Sequence, residues 1–227
     1  MDKARPQQPT GNASAELPVS VASGKVALEG ALELPAGCLG VVLFAHGSGS
    51  SRHSPRNNYV AQRLRAARLG TLLIDLLTPE EDADYERRFD IALLTRRLSD
   101  AVRFLQQDER TAKLPIGLFG ASTGAAAALQ VAADMPMAVA AVVSRGGRPD
   151  LAGTAALGRV RAPTLLLVGG HDHGVIELNQ DAHAALDCAK ELAVVPGATH
   201  LFEERGALEE VARLAAGWFS RHMQRAA

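Results

Sequence analysis

The segment that most constrains the fold is a five-residue turn, Gly120-Ala121-Ser122-Thr123-Gly124, set between two apolar stretches. The short apolar run before the turn predicts a buried strand, and the alanine-rich run after it predicts a helix. A G-x-S-x-G sequence between strand and helix is typical of a nucleophile elbow, where small residues leave room for a tight turn and the serine takes a strained conformation. The turn therefore predicts a reactive serine, Ser122, at the edge of a sheet.

Strand and helix patterns alternate along the chain, which predicts an α/β fold with a mainly parallel, doubly wound sheet covered on both faces. The predicted strands are residues 19–22, 26–34, 40–45, 71–74, 116–119, 139–144, 164–168 and 192–195. The predicted helices are residues 57–69, 89–106, 123–134, 175–186 and 207–223. Only three turn residues separate the first two strands, so we expect an N-terminal antiparallel hairpin at the sheet edge. The acidic residues 78–84 are expected to form a solvated loop.

The length of 227 residues suits one α/β domain and is short for two. We predict a single domain over residues 17–227, without an inserted lid domain, preceded by a polar, disordered tail over residues 1–16. No apolar run approaches the roughly 18–20 residues of a membrane span, and the start lacks the apolar core of a signal peptide. We therefore expect a cytoplasmic protein with no membrane partner.

Charge and cysteine content exclude further classes. The formal net charge of −1 gives no reason to expect a nucleic-acid partner. Cys38 and Cys188 lie in separate regions and form no C-x-x-C pair, which favours free thiols in a reducing compartment over a disulfide. His171 and His173 form an H-x-H pair without further ligands at a convincing spacing. The sequence therefore predicts neither a metal nor a cofactor.

Three predicted loops at one edge of the sheet carry the residue types of a serine hydrolase. In a doubly wound sheet, functional residues gather beyond the carboxyl ends of the strands. Ser122 follows one predicted strand, Asp172 follows the strand at 164–168, and His200 follows the strand at 192–195. The simpler alternatives are that Ser122 and Asp172 only cap helices and that His200 is a packed loop histidine.

The chemistry assigns each of these residues a role. A serine hydroxyl is a weak nucleophile until a base accepts its proton, and His200 can take that proton and return it to the leaving group. Asp172 would hold the histidine tautomer and stabilise the imidazolium. Negative charge that develops on the carbonyl oxygen needs preset donors. We expect the backbone N–H of Thr123 as one donor, and that of Ser48, or alternatively of Gly49, as the other.

Four arginines in two loops at this edge are candidate substrate-binding residues: Arg52, Arg56, Arg145 and Arg148. A guanidinium group binds a carboxylate or a phosphate in a bidentate manner, so these residues would suit an anionic substrate. The alternative is that they form local salt bridges with acidic residues, the candidates being Asp150, Glu177 and Glu203.

These motifs resemble the α/β-hydrolase superfamily, and in particular its dienelactone hydrolase-like branch. The resemblance spans about residues 19–219 and is most specific at residues 44–57, 120–124, 144–150 and 196–204. It implies an α/β-hydrolase fold with Ser122, Asp172 and His200 at the positions of the family's nucleophile, acid and histidine. Dienelactone hydrolases proper use a cysteine nucleophile, so the serine favours a general carboxylic ester hydrolase acting on small soluble esters.

Three other functions stay open at this point. The same triad would serve a thioesterase or a lactonase, and a non-catalytic binding protein could retain the fold. Similar domains are sometimes fused to a phosphoribosyltransferase, so the resemblance also implies an accessory role beside such a partner. Besides a small-molecule ester, the partners considered are therefore a second copy of the chain and a phosphoribosyltransferase-type protein.

Overall fold

The structure is a computed structural model that describes residues 15–223. The tail predicted over residues 1–16 lies outside the described residues except for its last two. The described residues form eight strands: β1 Leu17–Ser23, β2 Val26–Glu33, β3 Gly40–Ala45, β4 Leu69–Ile74, β5 Ile116–Ala121, β6 Val139–Arg145, β7 Thr164–Gly169 and β8 Lys190–Val195. They also form seven α-helices: α1 Pro55–Ala66, α2 Pro79–Asp82, α3 Ile91–Gln107, α4 Thr123–Asp134, α5 Thr154–Leu157, α6 His173–Ala185 and α7 Ala207–His222.

All eight strands join one sheet in the order β1-β2-β4-β3-β5-β6-β7-β8. The β1–β2 and β2–β4 pairs are antiparallel, and every other pair is parallel. Apolar side chains of α3, α4 and α6 cover one face of the sheet, and those of α1 and α7 cover the other. The predicted doubly wound fold with an N-terminal antiparallel hairpin is therefore confirmed.

Burial explains why the strands were readable from the sequence. Every residue of β3, β4, β5 and β7 is buried, as expected for parallel strands that are covered on both faces. The outer hairpin strand β1 instead alternates between partly buried and exposed positions over most of its length. Continuous apolar runs and an alternating edge are the patterns on which the prediction rests.

The helix predicted at residues 57–69 is observed as α1, Pro55–Ala66, so the prediction was wrong at both ends. Ser54 caps the helix by accepting a hydrogen bond from the N–H of Asn57, and Pro55 occupies its first position. The chain then leaves the helix at Arg68, whose φ is +62°, and Leu69 already pairs with Gly40 in the sheet. Leu69 therefore belongs to β4, although the helical periodicity predicted it as the last residue of the helix.

The acidic segment 78–84 is not a simple solvated loop. Thr78 and Glu81 form a reciprocal capping box at the start of α2. The Glu81 carboxylate also accepts two hydrogen bonds from Arg97, at 2.5 and 2.7 Å, and that arginine is buried within α3. Arg97 lowers the pKa of Glu81, mainly through these hydrogen bonds. The ion pair between Glu81 and Arg97 therefore links this segment to α3.

Two smaller expectations concern thiols and membranes. Cys38 and Cys188 are both free, as predicted. Within residues 15–223, the structure contains no helix that is both long and apolar enough to cross a membrane.

Candidate active site

The elbow joins β5 directly to α4 through Ser122, whose backbone has φ +50° and ψ −119°. This strained conformation occurs where neighbours leave no alternative. A Cβ atom at Gly120 would collide with the Cα of Ala125, and one at Gly124 would collide with the carbonyl oxygen of Ala45. The two glycines are therefore required by close backbone approach, and the turn holds Ser122 above the carboxyl edge of the sheet.

Backbone hydrogen bonds anchor Ser122 while leaving its hydroxyl group available. The Ser122 N–H donates to the carbonyl of Arg145 at 3.3 Å, and the Ser122 carbonyl accepts from the N–H of Arg148 at 3.1 Å. The side chain makes no capping hydrogen bond to α4, and its hydroxyl bonds to no other described residue. A simple helix-capping role for this serine is therefore not observed.

Asp172 and His200 form a hydrogen-bonded pair, with Asp172 Oδ2 2.6 Å from His200 Nδ1. Asp172 stands at the N-terminus of α6, yet its side chain makes no capping hydrogen bond there. A carboxylate oxygen accepts, so Nδ1 is the donor and Nε2 keeps the free lone pair. The pair thus holds the tautomer that a general base needs.

The end of β6 and the residue after it contact both the serine and the histidine segments. Gly146 follows Arg145, which accepts the hydrogen bond from Ser122, and a Cβ atom at Gly146 would lie 3.1 Å from the His200 carbonyl oxygen. The same atom would lie 3.5 Å from His200 Cε1, and Gly146 has a φ of +50°. Ser122 and His200 therefore contact consecutive residues, Arg145 and Gly146, without a hydrogen bond between their own side chains. Such bonds often form only once a substrate is present.

His46 orients the loop that is expected to supply an oxyanion donor. Its Nε2 accepts from the N–H of Leu76 at 2.9 Å, so Nδ1 carries the proton and donates to the Gly47 carbonyl at 3.0 Å. Burial lowers the pKa of His46, which keeps the ring neutral. Because the Gly47 carbonyl points to the ring, the Ser48 N–H of the same trans peptide points away from it. The role of His46 was not predicted from the sequence, although the residue directly precedes Gly47.

The predicted oxyanion donors lie on the two segments that flank the serine. Thr123 is the first helical residue of α4, where a backbone N–H has no acceptor within the helix. On the other segment, a Cβ atom at Gly47 would lie 3.0 Å from the Cβ of Ser122. The following turn is closed by a hydrogen bond from Ser50 to Gly47 and passes through Gly49 at φ +66°. Both segments therefore lie directly beside the serine.

The four candidate arginines have different surroundings. Arg52 forms an ion pair with Asp75, and Arg56 forms one with Glu203 at 2.6 Å. Arg148 donates two hydrogen bonds to the Asp150 carboxylate, at 2.8 and 2.7 Å. Glu177, which the sequence offered as a partner, pairs with none of them within the described residues. Arg145 is buried and has no acidic partner among residues 15–223.

A cavity of about 490 Å³ lies beside residues 46–52, the loop that is expected to supply an oxyanion donor. It is bounded by β2 and by the loops that follow β3 and β4, with His46, Ser51, Arg52 and Asp75 in its wall. The loop that orients the Ser48 N–H therefore also forms one wall of a space large enough for a small substrate group.

No group of three or more His, Cys, Asp and Glu residues within residues 15–223 is placed to hold a metal ion. The rings of His171 and His173 lie 6.4 Å apart, centroid to centroid.

The sheet, the elbow and the paired acid and histidine define a protein of the α/β-hydrolase superfamily. Two solved esterases share its fold. Est1E from Butyrivibrio proteoclasticus superposes with a TM-score of 0.77 at 14% identity, covering 90% of this chain and 98% of that one. Pyrococcus furiosus esterase Pf2001 superposes with a TM-score of 0.75 at 19% identity, covering 97% of this chain and 98% of that one. The sequence model of the dienelactone hydrolase family matches residues 80–224, so the chain belongs to the dienelactone hydrolase family.

Relatives of higher sequence identity differ in name and in length. The crystal structure of a dienelactone hydrolase from Anabaena variabilis is 55% identical and superposes with a TM-score of 0.90, covering 93% of this chain and 100% of that one. Two Mycobacterium tuberculosis proteins named "Putative phosphoribosyl transferase" are 58% identical over 205 residues, which is 90% of this chain. The chain spans only 46% of their length.

Proposed function

We propose that the chain is a serine hydrolase that cleaves small, soluble carboxylic esters through an acyl-enzyme. The observation that carries the proposal is the 2.6 Å pair of Asp172 and His200 at the same sheet edge as the strained Ser122. An elbow serine without a hydroxyl partner, next to a histidine held in the basic tautomer, is suited to nucleophilic attack. The serine, where dienelactone hydrolases proper have cysteine, favours general esters as substrates.

In this mechanism, Ser122 Oγ attacks the ester carbonyl while His200 Nε2 takes the hydroxyl proton. The N–H groups of Thr123 and of Ser48 or Gly49 stabilise the negative oxygen of the tetrahedral intermediate. His200 then returns the proton to the departing alcohol, which leaves an acyl group on Ser122. A water molecule, activated by His200, hydrolyses this acyl-enzyme. Asp172 keeps the imidazole oriented and stabilises its charged form throughout.

A fluorophosphonate probe tests the assembly of the site without knowledge of the substrate. We expect one adduct per chain, located at Ser122 by mass spectrometry, and none in the Ser122→Ala variant. Ser20→Ala changes an exposed serine of the edge strand β1 and should label like the wild type. A folded wild-type protein that takes up no probe would contradict the proposal, as would undiminished labelling of Ser122→Ala.

A thioesterase or lactonase would use the same residues and should label in the same way. Comparison of kcat/KM for ethyl butyrate, S-ethyl thiobutyrate and γ-butyrolactone separates these activities. The proposal expects the oxygen ester to be preferred. A preference of tenfold or more for the thioester or the lactone, roughly 1.4 kcal/mol in the barrier, would reassign the substrate class.

A second candidate is an accessory or binding role beside a phosphoribosyltransferase-type partner, or in an assembly with a second copy of the chain. The length of the curated relatives favours it, because this chain matches less than half of proteins that bear the transferase name. Negligible ester turnover together with stable co-purification with such a partner would support it. Stoichiometric labelling at Ser122 with ester turnover by the isolated chain would exclude a purely accessory role.

We further propose a cytoplasmic location, which subcellular fractionation tests.

A further inference from the structure

Two buried polar side chains meet at Leu76, two residues beyond the end of β4. The Leu76 N–H donates to Nε2 of His46 at 2.9 Å, and the Leu76 carbonyl oxygen accepts from Nη1 of Arg97 at 2.7 Å. His46 is 5% exposed, Arg97 is 4% exposed, and Leu76 is fully buried. Both backbone groups of Leu76 are therefore bound by side chains from other elements, one from the loop after β3 and one from α3.

Arg97 is held in a fixed orientation. Its Nη1 and Nη2 atoms also donate to the two carboxylate oxygens of Glu81, at 2.5 and 2.7 Å. A planar guanidinium group that is bound by both oxygens of a carboxylate has little freedom to rotate. The same carboxylate accepts from the N–H of Thr78 at 2.9 Å. Arg97 therefore joins α3 to the start of α2 and to the turn at Leu76.

Stability by itself is a poor explanation for burying Arg97. A buried ion pair contributes little net stability because desolvation offsets the attraction, and apolar residues of similar volume often serve as well. A buried network whose members are all hydrogen-bonded instead holds the surrounding structure in one conformation. The backbone that Arg97 holds in one conformation is the turn at Leu76.

This turn anchors loop 46–52 at both ends. At the start of the loop, Leu76 binds His46, and His46 Nδ1 donates to the Gly47 carbonyl at 3.0 Å. At its end, the Asp75 carboxylate accepts from the Arg52 N–H at 2.6 Å and also from the Arg52 guanidinium group. The expected oxyanion donors of this loop lie between the two anchors. A change in the turn is therefore transmitted to the loop from both sides.

We propose that Arg97 is a positioning residue for ester hydrolysis, which fixes the oxyanion loop through Leu76 and His46. The proposal rests on the function proposed above, because it assigns the loop a role in the attack by Ser122. Negative charge on the carbonyl oxygen develops in the transition state. Loss of Arg97 should therefore lower kcat and kcat/KM together and leave KM nearly unchanged.

Replacement of Arg97 with methionine keeps a long side chain and removes every donor. We expect kcat for ethyl butyrate to fall about tenfold, less than for the loss of a whole oxyanion donor, with KM within about twofold of the wild type. Arg97→Lys keeps the charge and one donor group, so it should recover part of the loss. Arg103→Gln is the matched control, because Arg103 lies on the same helix and forms an exposed pair with Asp100. It should retain wild-type kcat and KM.

Glu81→Gln separates positioning of the loop from anchoring of α2. Glutamine removes the ion pair but still accepts a hydrogen bond, so Arg97 can keep its bond to the Leu76 carbonyl. We expect kcat of this variant to stay within about twofold of the wild type. If Arg97 served only to hold α2, Glu81→Gln and Arg97→Met would lower kcat alike, and that result would overturn the proposal.

A double-mutant cycle tests whether Arg97 acts through His46. His46→Phe breaks the link between Leu76 and the loop, so the further substitution Arg97→Met should cause little additional loss of kcat. The double variant is therefore expected to resemble His46→Phe alone. Losses that multiply would show that Arg97 acts independently of His46, against the proposal.

Hydrogen exchange measures the same link without turnover. The Leu76 N–H, which binds His46, is followed by NMR in deuterated buffer, and amides of the core strand β7 report global stability. We expect Arg97→Met to lower the protection of Leu76 about tenfold relative to those of β7. Arg103→Gln and Glu81→Gln should retain it. If Arg97→Met does not fold, Arg97→Lys serves in both measurements, with smaller changes in the same direction.

The outcomes distinguish this proposal from the esterase proposal. If Arg97→Met keeps wild-type kcat and wild-type protection of Leu76, the positioning role is overturned while the esterase proposal stands. If the wild type hydrolyses no ester but Arg97→Met lowers the protection of Leu76, the esterase proposal fails and the coupling of Arg97 to the loop is supported.

Discussion

Asp172 Oδ2 lies 2.6 Å from His200 Nδ1, although the two residues are 28 positions apart in the chain. One follows β7 and the other follows β8, and these strands are parallel neighbours at the end of the sheet. Adjacent parallel strands open their loops at the same edge, so the sheet itself brings the carboxylate to the imidazole. The same edge carries Ser122, directly after β5, and Arg145, the last residue of β6.

Replacing Asp172 with asparagine tests the pair. We expect kcat/KM for ethyl butyrate to fall by about 10⁴-fold, because the amide no longer selects the His200 tautomer with a free Nε2. Asp181→Asn changes an exposed aspartate of the same helix and is the matched control. Activity of Asp172→Asn within tenfold of the wild type would show that this aspartate does not orient the base.

Replacing His46 with phenylalanine tests whether this buried ring positions the oxyanion loop. Phenylalanine fills the space but neither accepts from Leu76 nor donates to Gly47. We expect kcat to fall by about 10- to 100-fold with KM nearly unchanged, because the loss falls on the transition state. His46→Asn, which keeps a donor near Gly47, should recover part of the loss. A rise in KM at constant kcat would instead indicate a role in the 490 Å³ cavity that His46 also lines.

The same histidine should make the folded state sensitive to mild acid. Burial lowers the pKa of His46 below its ordinary value of 6.5, so only the unfolded chain takes up this proton as the pH falls. The stabilisation is complete above pH 6.5 and declines below it, with a slope that approaches about 1.4 kcal/mol per pH unit. The free energy of unfolding in urea, measured between pH 7 and 5, should decline less steeply in His46→Asn.

Two other groups with a lowered pKa must be separated from His46 in this measurement. Glu81 has a lowered pKa because of Arg97, so its contribution is lost only below about pH 4.5, outside the window. His222 also has a pKa lowered by burial and acts in the same direction, so His222→Asn measures its share. Equal slopes in the wild type and His46→Asn would mean that His46 takes up its proton as readily in the folded protein as in the unfolded chain.

Glycine substitutions test the packing of the elbow. Gly124→Ala would drive a Cβ atom into the carbonyl oxygens of Ala45 and His46, and we expect a loss of about 3 kcal/mol in the free energy of unfolding. Gly217→Ala is the control, since its Cβ would meet nothing within 4 Å on the exposed side of α7. That variant should gain about 0.5–1 kcal/mol, because alanine favours a helix. A neutral Gly124→Ala would show that β3 can withdraw from the elbow.

The order of elements and the edge that carries the site were predictable, because both depend on local patterns. Buried parallel strands are continuous apolar runs, and the bounds of β3 and α4 match the prediction at both ends. Boundaries failed where tertiary contacts compete with periodicity, as at Leu69, which pairs with Gly40 in the sheet. The acidic segment 78–84 was misread because its ion-pair partner, Arg97, lies in another helix.

What the sequence by itself determined is therefore the strand–helix alternation, the elbow around Ser122 and the placement of Asp172 and His200 after successive strands. Only the tertiary structure decided which charges are neutralised. Four arginines look alike in the sequence, and Arg145 differs because the end of β6 carries its guanidinium group away from water and from any aspartate among the described residues. Desolvation and pairing depend on neighbours that are distant along the chain, so no local pattern records them.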